Sequence, residues 1–154
     1  MTTATMQALG LAVTLPPGWD GRIYQRPADP GATTHPILHA ATIPLPPVRG
    51  DFGGGAVDLL GADDVFLSLL EYHPDSVSQA LYRATGGVPG LTPDQFNPFA
   101  LQRVVPGQAG CQQFFGCGGR AFCLYVVIGG FANRVALTPQ ANAVLSSVHV
   151  EPRR

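Results

Sequence analysis

Cys111-Gln112-Gln113-Phe114-Phe115-Gly116-Cys117-Gly118-Gly119-Arg120-Ala121-Phe122-Cys123-Leu124-Tyr125-Val126-Val127-Ile128 is the stretch on which the fold turns. Cys111–Phe115 and Ala121–Ile128 read as strands, and Gly116–Gly119 as the turn that joins them, since glycine takes the positive-φ conformations of tight hairpins. Residues 121–128 are apolar without alternation. Such a strand belongs inside a sheet covered on both faces. The apolar run Ala121–Ala132 falls well short of the roughly 18–20 residues needed to span a bilayer.

Downstream, Thr138-Pro139 reads as an N-cap followed by proline at the first helical position, where its missing N–H does no harm. Ala141, Val144, Leu145 and Val148 then form an apolar stripe, and Val148–Glu151 closes with a short strand. Upstream, Leu101–Val105 reads as a further strand, and Thr92-Pro93-Asp94-Gln95 has capping-box spacing for about one turn. A second main helix is expected from the cap Asp75, with Val77, Leu81 and Ala84 on one face and Gly86-Gly87 as its stop. Ahead of it lie five strand-like segments. Leu9–Leu15 and Trp19–Tyr24 alternate with period two, and Ile37–Ile43 runs into prolines 44, 46 and 47. Ala56–Leu60 and Val65–Tyr72 flank a turn at Gly61–Asp64. Few helices among many hairpins indicate an α+β fold, an antiparallel sheet of about 7–9 strands with two main helices packed on it. Residues 1–8 are expected to be disordered or a short N-terminal arm, and 9–151 a single domain.

Composition bounds the function. Of 154 residues, 45% are hydrophobic and 12% charged, against roughly 25% charged in ordinary soluble domains. That excludes a disordered chain, and a formal net charge of −1 excludes a protein that neutralises many phosphates. Nucleic acid is therefore not an expected partner. All nine basic residues are Arg, which fits the coding bias of a GC-rich bacterial genome. Met1–Gly10 carries no basic segment of the kind that opens a signal peptide. A cytoplasmic location and no direct membrane insertion follow as expectations, compatible with a membrane-attached partner. A sparsely charged exterior favours association, with a second copy or with another protein.

Motifs with chemistry are few. Cys111, Cys117 and Cys123 lack paired C-x2-C spacing, so no metal site is expected. They read as structural thiols, with a Cys111–Cys123 cross-strand disulfide and a reactive Cys117 in the turn as alternatives. His35 and His39 would share a strand face about 13 Å apart, too far for one metal. His73 and His149 are isolated. Arg49-Gly50-Asp51 and Asp51-Phe52-Gly53 read as chance strings, the second lacking the other kinase motifs. Gly53-Gly54-Gly55 lacks the lysine of a phosphate loop, and Asp63-Asp64 reads as a solvated turn. No cofactor is implied.

Leu11-Ala12-Val13-Thr14-Leu15-Pro16-Pro17-Gly18-Trp19, a strand ending in Pro-x-Gly-Trp and followed by another strand, resembles the opening of domains with the PsbP-like fold. Thr138–Val150, helix then short strand with Ser146-Ser147, is similar too. That superfamily includes the photosystem II extrinsic subunit, a Ran-binding import factor, mycobacterial-type lipoproteins and type VI effector chaperones. The resemblance implies a sandwich around an antiparallel sheet, used for binding proteins rather than for catalysis.

The function expected is a non-catalytic cytoplasmic interaction module: an adaptor, a chaperone or an accessory subunit. Its candidate docking face is Trp19, Tyr24, Phe52, Phe96 and Phe99. The alternative is a small-ligand-binding domain with an apolar pocket between sheet and helix. An enzyme built on Cys117 or a His–Asp pair is the third reading.

Overall fold

A computed structural model describes residues 3–25, 30, 35–48, 50–82 and 87–152. Among these residues, eight strands form two antiparallel sheets, of three and five strands, rather than one. Ala4–Ala8 (β1), Leu11–Leu15 (β2) and His149–Val150 (β8) make the smaller sheet, in the order β1-β2-β8. The larger comprises Asp20–Gln25 (β3), Pro36–Ala41 (β4), Val65–Glu71 (β5), Ala109–Cys117 (β6) and Arg120–Ile128 (β7). Its order is β3-β4-β5-β7-β6. As its unbroken apolar run predicts, β7 lies between two strands, and every one of its residues is buried.

Among the described residues, one α-helix is present where two are expected. Arg134–Leu145 (α1) buries Leu137, Ala141, Val144 and Leu145 against β2 and the first face of the larger sheet. It begins four residues before the predicted cap. Pro139 therefore lies inside the helix, and Thr138 instead donates its hydroxyl to the Arg134 carbonyl at 2.6 Å. The expected helix after Asp75 is replaced by two 3-10 turns, Pro74–Ser78 and Ala80–Tyr82. Serines and β-branched Val77 are weak helix formers, and so short a segment cannot sustain an α-helix by itself. Tertiary packing decides instead, drawing the Tyr82 ring in between Tyr72 and Phe114. The expected positions Ala84 and Gly86 lie outside the described residues.

Two expected strands are absent. Ala56–Leu59 is a 3-10 turn, approached through three glycines with positive φ, and buries only Ala56 fully. Residues 101–105 form no ladder. The edge of β6 is met instead by Asn97, which pairs with Gly110. Only glycine allows that approach, since a Cβ on Gly110 would lie 2.0 Å from the Ala100 carbonyl oxygen. At Thr92 the capping-box reading holds, with the Gln95 side chain accepting from the Thr92 N–H at 2.8 Å. Among the described residues, no helix is long and apolar enough to cross a membrane.

Candidate functional site

The second face of the larger sheet carries three rows of side chains, set by strand register. Tyr24, Ile37, Leu70, Cys123 and Phe114 make one apolar row; Ala41, Phe66 and Val127 belong to another. Between them runs a polar row with one residue from each strand: Arg22, His39, Ser68, Tyr125 and Gln112, each pair directly opposed.

The polar row fastens a loop. Ser68 Oγ donates to the Asp51 carbonyl at 2.6 Å, and the Tyr24 hydroxyl to the Gly50 carbonyl at 3.1 Å. Arg22 Nε donates to His39 Nδ1 at 3.0 Å, so the ring's proton sits on Nε2, which faces the Asp51 carbonyl at 3.4 Å. Burial, and then the adjacent Arg22 guanidinium, pull the His39 pKa down to about 4. His39 is thus a neutral imidazole under the loop. Each residue of Asp51-Phe52-Gly53 has a packing role. Asp51 offers its carbonyl, Phe52 stands edge-on to Tyr125 at 5.1 Å, and Gly53, at φ +104, leaves room for the Phe66 ring.

Beyond Phe52 a cleft of about 200 Å³ opens between the Ala56–Leu59 turn and residues 101–108. Phe52 and Tyr125 supply aromatic lining, Val57 and Leu101 aliphatic lining. The Gln102 backbone N–H donates to the Tyr125 hydroxyl at 3.0 Å, and burial raises that phenol's pKa, which keeps it protonated. Gln108 is 4% exposed. Its Nε2 donates to the Val57 carbonyl at 2.7 Å, which fixes the amide's orientation. No donor among the described residues reaches its Oε1. Asp58 and Arg103, both well exposed, form an ion pair between the two walls.

A second cleft, of about 290 Å³, has the buried Arg120–Glu71 pair among its lining residues. Arg120 Nε and Nη2 donate to the Glu71 carboxylate at 3.0 and 2.6 Å. Its other bonds reach the carbonyls of Leu9, Gly10 and Glu151. Every guanidinium donor is engaged within the protein, which makes this a staple between sheets. His35, at the cleft's edge, meets His73 edge-on at 5.9 Å. Both clefts lie apart from the layer between sheet and helix, which α1 fills with Leu137, Ala141, Val144 and Leu145.

The five candidate docking aromatics fall into three groups. Trp19 and Phe96 pack into the main core, Phe96 at 4% exposure. Tyr24 and Phe52 belong to the second-face cluster. Phe99 stands in solvent, 79% exposed. The three thiols are free. Cys111 opposes Val126, whereas Cys123 opposes Phe114, and the two point to opposite faces of the sheet, so the cross-strand disulfide is ruled out. Burial raises the pKa of both. Asp63 and Asp64 serve their turn, accepting from Asn133 and from Thr42 and Gly61. Arg49 lies outside the described residues. Among those residues, no group of three or more His, Cys, Asp or Glu could hold a metal ion. Sequence reading missed Gln108 and Tyr125, which belong to no motif and come together only through the fold.

No family model matches the chain, and no curated protein or solved structure matches it either.

Proposed function

We propose that this protein is a non-catalytic cytoplasmic interaction module, an adaptor or accessory subunit that docks through the surface around Phe99. The observation that carries the reading is a large aromatic ring left 79% exposed on the loop that seals the β6 edge. Val104 on the same loop and Leu59 on the facing turn are 55% and 59% exposed. The Asp58–Arg103 ion pair holds these neighbours together. Exposed aromatics ringed by polar groups are the usual anchors of protein interfaces. The buried ionisable groups support the same reading, because His39, Glu71 and Arg120 spend their polar atoms on internal bonds. The PsbP-like resemblance of Leu11–Trp19 points the same way, toward protein binding.

The test is affinity purification from the native host with wild type and Phe99→Ser. A stoichiometric partner that Phe99→Ser loses, with thermal stability unchanged, supports the reading. Undiminished recovery with Phe99→Ser overturns it. Phe96 is unsuitable for this purpose, because its ring is part of the core.

A further inference from the structure

We propose that the partner at the Phe99 surface is a second copy of this chain: across a two-fold axis, the Phe99 ring of each copy enters the Tyr125 cleft of the other. The pairing rests on Phe99 being the docking anchor, and names what it docks to. Knob and hole match in size and chemistry. The Phe99 ring is 79% exposed, apolar area that gains by leaving water. The cleft measures about 200 Å³, and an engineered cavity of about 150 Å³ holds benzene, so one phenylalanine ring fits. Phe52 and Tyr125, edge-on to each other at 5.1 Å, present the aromatic lining such a ring favours, with Val57 and Leu101 beside them.

Placement selects the occupant. Phe99 stands two residues from Leu101, which lines the cleft, so their Cα atoms are no more than about 7 Å apart. The exposure of Phe99 shows that its ring does not fold back into the cleft of its own chain. A two-fold contact sets one residue against a second and the second against the first. With ring and cleft side by side, one axis between them fills both clefts at once and leaves no ring in solvent. A foreign partner would have to bring a ring and a pocket of its own at the same spacing. Charge agrees. Asp58 and Arg103 carry opposite signs at the cleft walls and are well exposed, so a two-fold can set each against its opposite in the other copy. A net charge of −1 leaves little repulsion between copies. Val104 and Leu59, 55% and 59% exposed, extend the apolar contact around the rings.

A contact centred on two rings is small for a stable interface, so half-dissociation in the range of roughly 1–100 μM is expected. Sedimentation velocity of the purified protein across that range, and about fivefold above it, should show monomer passing to dimer. Phe99→Ser removes both rings of the dimer and should weaken it at least about a hundredfold, while melting at the wild-type temperature. An equal mixture of isotope-labelled and unlabelled wild type should give NOEs between copies, from the Phe99 ring to the Leu101 methyls and the Tyr125 ring. A monomer at every concentration overturns the pairing. It leaves the docking of a foreign protein to be decided by the purification from the native host, so the two readings fail separately. A dimer that survives Phe99→Ser, or one that lacks those NOEs, also overturns the pairing, since its contact lies elsewhere. The concentration series and the NOEs use wild type alone, so both stand even if the variant folds poorly.

Discussion

His39 shows how one buried residue sets a pH limit. Its ring is fully buried beside Arg22, and its folded pKa lies near 4 against an ordinary value of 6.5. Above pH 6.5 neither state binds the proton, and the stability is intact. Between 6.5 and about 4 the unfolded chain takes up a proton that the folded chain refuses, so stability falls as pH falls. At roughly 1.4 kcal/mol per pKa unit, the whole window is worth about 3 kcal/mol. His39→Gln retains an acceptor for Arg22 Nε and removes the titration. Urea unfolding at pH 7 and pH 4.5 should therefore show a clearly smaller acid loss in His39→Gln than in wild type. Equal losses would place the acid sensitivity elsewhere. Burial alone separates Phe96 from Phe99, two residues of one type. Phe96→Ala should lower stability by about 3–5 kcal/mol, as core phenylalanines do, and Phe99→Ala by less than about 0.5. Thermal melts of the two variants distinguish them at once.

Elements are decided where local preference meets packing, and the β1–β2 hairpin is a case of conflict. Ala8 opposes Leu11, leaving Leu9 and Gly10 as a two-residue turn with φ of +54 and +78. Two positive φ values define the mirror-image turn that fits strand twist, and Asn-Gly is its preferred pair. Leucine at such a φ is strained by about 1–2 kcal/mol. Leu9→Asn should accordingly raise the melting temperature by about 2–4 °C, the shift expected of roughly 1 kcal/mol in a chain of this size. No rise would mean that the exposed Leu9 side chain makes a contact worth the strain. The same conflict explains what the sequence hid. Ala4–Ala8 alternates, but with only two alanines and Met6 on its apolar face, and its pairing with β2 depends on a turn whose first residue argues against it. Leu9 reads as strand because its apolarity continues the period, while its backbone belongs to the turn. In α1 the Thr-Pro pair imitates a helix start, yet the buried stripe begins one turn earlier with Leu137. By contrast β7 was legible, because burial on both faces is written directly in its composition. The Cys111–Cys123 pairing was illegible, since register follows from a turn closed by Gly118-Gly119 between Cys117 and Arg120. The cleft was hidden more deeply. Phe52, Val57, Leu101, Gln108 and Tyr125, which line it, meet only in three dimensions.

At the scale of the whole molecule, two sheets must be held in fixed relation by more than the α1 core. Arg120 begins the larger sheet's buried strand β7 and reaches the β1–β2 turn through Leu9 and Gly10, and the tail through Glu151. Glu71 supplies the opposing charge, and the pair is 8% and 3% exposed at its side chains. Glycine suits this approach, since φ at Gly10 is +78 and a Cβ there would fall 2.6 Å from Arg120 Nη1 and displace it. Removing one partner of a buried pair strands the other charge, a loss of about 3–5 kcal/mol. Arg120→Met and Glu71→Leu should each approach that figure, and the double variant should lose much less than their sum. The staple makes a further, local demand. In Arg120→Met, amide exchange should accelerate in β1 and β8, whose flanking carbonyls lose their donor, while β7 amides remain protected to near the global limit. Uniform acceleration across both sheets would mean that the smaller sheet never opens on its own. Arg120 would then contribute to overall stability without governing the junction. Selective acceleration would identify the smaller sheet as a separately opening unit, which Arg120 helps the α1 core to hold on the larger.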